Sequence, residues 1–382
     1  MEIKYGLISA DSHTVLDRDT FTRRMSSTKW GDLIPHIVET TEGGRTVDRW
    51  LIHGRISSNE RGVANCPAAM PDPTAHQYPE RWEEVPARAV DPLERLEALD
   101  SDGVDAEVLF PTGGRLVYME FGDEFELDCV RAYNDAMAEW RELSDRYAPL
   151  AMIPYLCDIK TTVAEVERAA RMGHRGIEIL SEPSLVSEGA KHFNDAHWEP
   201  LWAFCEEAEV PIHIHESGGI SQQVGLPRWS GYTRFEYHVE HTVPTGTFPA
   251  QVFANIFLSG LAERHPRLKW VSAEAGLGWV MYVLEGCDHE WERRHLWTEG
   301  IRTRPSEMFR RQVYVDTFCE VATLQLRHEI GIDNIMWQTD YPHTASTFPR
   351  TWELINQSLK GVPEDERKKM LYQNALRLYK LG

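Results

Sequence analysis

Apolar residues along this chain gather into short runs rich in Val, Ile and Leu, the pattern of buried strands. Eight such runs stand out: Tyr5 to Ala10, Ala106 to Phe110, Leu150 to Pro154, Gly176 to Leu180, Val210 to His215, Leu268 to Ala273, Val313 to Asp316 and Ile335 to Thr339. Most are separated by one stretch with helical spacing, namely Pro92 to Leu99, Glu124 to Tyr147, Thr161 to Met172, Trp198 to Ala208, Gln251 to Arg264, Leu277 to Arg294 and Val321 to Ile330. Two further helical stretches, Trp352 to Leu359 and Glu364 to Leu381, end the chain. Asp91 before Pro92, and Asp123 before an acidic first turn, read as helix starts. Strand and helix in alternation predict parallel βα units, and eight of them close a (β/α)8 TIM barrel. The expected fold is therefore α/β, with residues 1–382 as a single domain.

One interval breaks the rhythm. Residues 25–90 are dense in Gly, Pro and charge and separate the first strand from the first regular helix. Within them Thr46 to Arg55 alternates well enough for a hairpin, and Pro71, Pro73 and Pro79 mark irregular chain. Because this insertion follows the first strand, it should emerge at the C-terminal mouth of the barrel and cover it.

Composition narrows the partners. A formal charge of -20 repels phosphate backbones and anionic lipid, and no basic patch offsets it, so nucleic acid and membrane surfaces are excluded and a small-molecule substrate is expected. No basic stretch followed by a long apolar run opens the chain, and no apolar segment reaches the roughly eighteen residues that span a bilayer, so a cytoplasmic protein is expected. The six cysteines are scattered without a C-x-x-C pair, which argues for buried reduced thiols. The inserted segment and the 13 tryptophans are compatible with a homodimer.

In such barrels, polar groups at the C-terminal ends of strands build the active site. The first strand ends in Ala-Asp11-Ser12-His13, whose alternation points Asp11 and His13 to one side, toward the axis. The fifth ends in His213-Ile-His215-Glu216, the sixth in Ala-Glu274-Ala-Gly276 and the eighth in Thr-Asp340-Tyr-Pro-His343. Asp11, His13, His215 and Asp340 form a mixed N/O set able to hold a divalent metal, zinc first, manganese or iron otherwise, with open positions for water and substrate. Taken singly each residue has a plainer role, a helix cap for Asp340 or a satisfied core imidazole for His213. The constellation outweighs its members because the strands are assigned without reference to it. His213, one pleat deeper than His215, is expected to be structural. Gly276 should let backbone approach closely.

Softer candidates face the substrate. Arg115 follows the second strand and suits a carboxylate. His241, with His238, lies in the long stretch after the fifth strand, and His343 follows Asp340. Asn134, Glu178 and Trp279 are expected to serve internal hydrogen bonds and packing.

Seven segments together resemble one family: A-D-S-H, L-E-A-L-D-S-D-G-V-D-A-E-V-L-F-P-T, R-A-Y-N-D, W-E-P-L-W-A, P-I-H-I-H, E-R-H-P-R-L-K-W-V-S-A-E-A-G and T-D-Y-P-H. They are similar, over nearly the whole chain, to the amidohydrolase-related branch of the amidohydrolase superfamily, which includes aminocarboxymuconate-semialdehyde and dihydroxybenzoate decarboxylases. The resemblance implies a metal-dependent hydrolase or carboxy-lyase acting on a small carboxylated, aromatic or unsaturated substrate. It implies Asp11, His13, His215 and Asp340 as metal ligands and Asp340 as an acid/base. Where those decarboxylases carry a histidine on the sixth strand, this chain has Glu274, which leaves Glu274 as a ligand or a general acid/base and leaves both reactions open. A non-catalytic metal- or ligand-binding barrel is the alternative, and it predicts a lost ligand, whereas all four are present.

Overall fold

In the computed structural model, which describes residues 1–57, 62–111, 118–215 and 248–382 apart from the side chains of 185 and 186, eight parallel strands form one sheet. They are β1 (Ile8–His13), β5 (Ala106–Phe110), β6 (Tyr147–Ala151), β7 (Gly176–Ile179), β8 (Ile212–His215), β9 (Trp270–Ala273), β10 (Val313–Thr317) and β11 (Ile335–Trp337), paired in that order. Each overlaps a predicted apolar run, although β6 begins three residues before Leu150 and shares only Leu150 and Ala151 with its run, and β1 starts at Ile8 and continues to His13. The first and last strands meet at their C-terminal ends, where Asp340 N donates to Asp11 O at 2.9 Å and His13 N to Tyr341 O at 2.7 Å. The sheet thereby becomes a nearly closed TIM barrel.

The helices follow the expected spacing, with Pro92–Asp102, Asp123–Leu143, Ile159–Arg171, Glu199–Ala208 and Val280–Arg293 the longest with both ends among the described residues. Asp91 caps the first by accepting from Leu93 N and Glu94 N. Asp123, expected to cap its helix, is instead that helix's first residue, after Gly122. The Val321 to Ile330 stretch is less regular than expected, a 3-10 turn at Thr323–Leu326 followed by one short helix, Arg327–Ile330. Trp198, Trp202, Trp270 and Trp337 are fully buried between helices and sheet, each contributing on the order of 2–3 kcal/mol of hydrophobic stabilisation.

Inside the barrel, Ile8, Ala10, Val108, Phe110, Leu150, Val271, Ala273 and Met336 pack together with Ala375, Leu378, Tyr379 and Leu381 from the C-terminal helical segment. His213 belongs to this interior: Nδ1 meets Ile177 O at 3.0 Å and Nε2 meets the Tyr379 hydroxyl at 2.9 Å. The carbonyl requires a proton on Nδ1, so Nε2 accepts from Tyr379. Burial depresses this imidazole to about 3, so it is neutral and structural, as the sequence suggested.

Between β1 and the Pro92–Asp102 helix lies a small antiparallel sheet, β2 (His36–Glu42), β3 (Arg45–Ile52) and β4 (Arg55–Ile56). The expected hairpin at Thr46 to Arg55 is mostly one strand, whose main partner lies upstream. The reason is local: Gly43 and Gly44, with φ of +56° and +77°, form the tight turn, and such a pair matches strand twist in two-residue hairpins. Further along, Ala68 N donates to Pro342 O at 3.0 Å and Val15 N to Ala89 O at 3.2 Å, tying the inserted chain to the segments after β11 and β1. Five cysteines are buried free thiols, and Cys319, on the loop after β10, is exposed, contrary to expectation. Among the described residues no helix is long and apolar enough to cross a membrane.

Candidate metal centre

The interior phase of β1 changes just before the site. Ile8 and Ala10 face inward with the core, but the pairing of β1 with β5 slips between Ser9 and Ser12, where β1 carries one extra residue. This bulge turns Asp11 and His13 inward after Ala10, which strict alternation would not do. The hydroxyls of Ser9, Ser12 and Thr339 occupy the bulge: Ser9 Oγ donates to Asp11 O at 2.8 Å and lies 2.9 Å from Thr339 Oγ1, and Thr339 N donates to Ser9 Oγ at 2.9 Å.

Asp11, His13, His215 and Glu274 each present a ligand atom, and these atoms all lie within 4.8 Å of one another. His215 Nε2 stands 3.1 Å from Glu274 Oε2 and 3.6 Å from Asp11 Oδ2, and His13 Nε2 stands 3.5 Å from Asp11 Oδ1. Asp340 belongs with His13 and His343 to an adjoining trio: Asp340 Oδ1 is 3.4 Å from His13 Nε2 and 3.1 Å from His343 Nδ1. The His343 ring stacks on that of His13 at 3.8 Å. Phe110 supplies an apolar wall, its ring 6.0 Å from that of His13 and 5.3 Å from that of His215.

The donor set suits a divalent ion. Both carboxylate oxygens of Asp11 are buried and make no hydrogen bond among the described residues, an expensive arrangement unless a cation satisfies them. Burial pushes the Asp11 carboxyl well up from its ordinary value, with Asp316, Asp340 and Glu274 adding to the rise and His215 opposing it. Burial disfavours charge on His215, yet Asp11 and Glu274 outweigh it and push the ring up to about 10. Both shifts express one demand, for positive charge among buried carboxylates.

Of the residues the sequence singled out, Asp11, His13, His215, Glu274, Asp340 and His343 converge here, Glu274 joining the quartet and Asp340 the trio. Arg115, Glu216, His238 and His241 lie outside the described residues. Asn134 bonds internally as expected, donating to Met152 O and Glu165 and accepting from Met152 N, and Trp279 stacks on Phe253. Sequence reasoning passed over Asp316 and Gln338, buried at the ends of β10 and β11, although the strand-end rule that selected Asp11 applies equally to them. It also missed Arg95, whose guanidinium makes two hydrogen bonds to Glu107 at 2.8 and 2.7 Å, both side chains fully buried. A carboxylate inside the apolar run A-E-V-L-F was the available signal, since such a group needs a buried partner.

Known proteins resemble this chain in sequence and in fold. The chain is 26% identical to decarboxylase orsB of Emericella nidulans over 317 residues, 75% of this chain and 85% of that one. Its fold matches the crystal structure of the amidohydrolase map2389c from Mycobacterium avium subsp. paratuberculosis K-10 with a TM-score of 0.77, at 21% identity and full coverage of both chains. It also matches a dihydroxybenzoic acid decarboxylase from Polaromonas sp. JS666, solved with manganese and 2-nitroresorcinol, with a TM-score of 0.64 at 19% identity, covering 98% of this chain and 97% of that one. The sequence pattern of the amidohydrolase family spans residues 50–381. The chain therefore belongs to the amidohydrolase family, and it is an enzyme of that family, built on the (β/α)8 barrel.

Proposed function

We propose that this enzyme is a metal-dependent decarboxylase of a small carboxylated aromatic or unsaturated acid. The reading rests on the buried Asp340 carboxyl, held between His13 and His343 beside the candidate ion site, in a chain related to a decarboxylase. Asp11, His13, His215 and Glu274 would hold the ion, whose mixed N/O donors suit zinc or manganese. When bound, a divalent ion supplies Lewis-acid polarisation of substrate oxygens.

The chain's own groups do the rest. Phe110 lines one side of the site and limits water around the substrate. As the bond to the departing carboxylate breaks, its electron pair stays on the substrate carbon. Asp340 delivers a proton to that carbon, and carbon dioxide leaves. His343, whose Nδ1 faces Asp340 Oδ1, orients that carboxyl and contacts the substrate, and solvent returns the proton to Asp340. The inserted segment at 25–90, tied to Pro342 through Ala68, forms part of the mouth and restricts entry.

Hydrolysis is the second reading, favoured by the carboxylate of Glu274 at the strand end where the family resemblance implies a histidine in decarboxylases. Carbon dioxide release decides between them. The metal-loaded protein incubated with a panel of hydroxybenzoates is expected to release it, and Asp340→Asn to release it at least about a hundredfold more slowly. Silence across the panel, with cleavage of ester or amide substrates, overturns decarboxylation. Elemental analysis of the purified protein identifies the ion, with close to one equivalent per chain expected.

A further inference from the structure

Glu274 has a backbone that a side-chain-bearing residue rarely adopts, φ +54°, in the left-handed region. It is the first residue beyond β9, the pairing of β9 with β10 ends at Ser272 and Val315, and among the described residues no main-chain oxygen accepts from its amide. Two side chains do instead. Glu274 N donates to Asp316 Oδ1 at 3.1 Å and to Gln338 Oε1 at 3.1 Å, from the ends of β10 and β11. Both side chains are fully buried. Among the described residues, the Glu274 amide is the one hydrogen-bond partner of either side chain; Asp316 Oδ2 and Gln338 Nε2 make no hydrogen bond. Burying two polar side chains for one shared amide is costly unless the conformation they fix matters.

The same loop is gripped again two residues on. Gly276 has φ +62°, and the Glu320 carboxylate lies where its side chain would be. That carboxylate accepts from Leu277 N at 2.8 Å and from the Thr317 hydroxyl. The loop after β9 thus hangs from residues of the β10 and β11 ends.

We propose that Asp316 and Gln338 are positioning residues: by sharing the Glu274 amide they hold that residue in its left-handed turn, which sets its carboxylate 3.1 Å from His215 Nε2, within the ligand quartet. Neither side chain belongs to the ligand quartet; both act through Glu274. The inference rests on the ligand role proposed above for Glu274.

A double-mutant cycle read by manganese titration of the apo protein tests it. Gln338→Leu removes one acceptor at similar volume and is expected to weaken manganese binding about tenfold, the lower range for groups supporting a metal ligand. In a Glu274→Ala background the same change should alter affinity no further, because the group it positions is gone. A loss of equal size in both backgrounds, or no loss in either, overturns the positioning role. Manganese binding untouched by Glu274→Ala overturns the ligand role of Glu274 instead, so the two failures are distinct. Should the Gln338→Leu variant not fold, hydrogen exchange on the wild-type apo protein gives a second reading. The Glu274 amide should be protected like those of the sheet, and exchange as fast as an exposed loop overturns the proposal.

Discussion

Asp340 and Glu274 leave their strands in the same left-handed conformation, φ +49° and +54°, yet the barrel holds them by different means. Asp340 sits at the seam where the last strand meets the first, and main chain does the holding: its amide donates to Asp11 O and the next carbonyl accepts from His13 N. Behind that carbonyl stands Arg95, which donates to Tyr341 O at 3.0 Å, lies 4.2 Å from the Tyr341 ring and is neutralised by Glu107. Glu274, across the site, has among the described residues only side chains of the neighbouring strand ends for its amide. At the seam β1 carries an extra residue relative to β5, whereas the ladder between β9 and β10 ends at Ser272 and Val315, short of Glu274.

The difference can be broken or sharpened by substitution, in decreasing order of effect. Asp340→Asn keeps the seam's main-chain bonds and removes the proposed proton donor, so turnover should fall by about 10²–10⁴ with the far-ultraviolet spectrum unchanged. Steady-state carbon dioxide release checks this, and a loss under about tenfold would refute the assignment.

Arg95→Met should destabilise the fold by about 3–5 kcal/mol in equilibrium denaturation, because it strands the Glu107 carboxylate in the core. The double variant Arg95→Met, Glu107→Leu should recover most of that stability. If it does so while metal affinity stays low, the Arg95 contact to Tyr341 matters for the seam beyond neutralising Glu107.

Glu274→Gln keeps the backbone and its two acceptors but loses the charge, and should weaken metal binding by about 10- to 100-fold, measured by competition with a chelator. An equal effect on melting temperature of the apo protein is not expected, since the Glu274 side chain is 16% exposed and stands among other carboxylates.

A smaller effect lies farther from the site. Burial pushes Asp102 up to about 6 from its ordinary 3.8, against the hydrogen bond it accepts from the Thr351 hydroxyl at 2.6 Å. The folded state therefore binds this proton more tightly than the unfolded chain, and stability is fullest below the unfolded value and declines as pH rises to about 6. Asp102→Asn should flatten that decline by on the order of 1–2 kcal/mol in denaturant titrations between pH 4 and pH 6.5.

Much of this was legible in the chain. The eight apolar runs each overlapped a barrel strand, the third displaced by three residues, and the polar residues closing the first, fifth, sixth and eighth runs, Asp11, His13, His215, Glu274 and Asp340, are the ones that converge. Gly43 and Gly44 announced a turn that reading the Thr46 to Arg55 stretch alone misplaced. Asp316 and Gln338 were equally visible as strand-end polar residues, but nothing local distinguishes a side chain that holds a neighbour's amide from one that caps a helix. The Arg95 and Glu107 pair announced only half of itself, since a charge in an apolar strand demands a partner without naming it.

By itself, the sequence determined the alternation of strand and helix, and with it the end of the barrel at which chemistry sits, because both follow from periodicities of two and 3.6 residues that neighbouring side chains set. Tertiary structure alone decided that Glu274 stands with Asp11, His13 and His215 while Asp340 stands with His13 and His343. That partition depends on a bulge in β1, two left-handed residues and hydrogen bonds joining residues as far as 330 positions apart, Ser9 with Thr339. Such contacts form only once the barrel closes, and no local pattern encodes them.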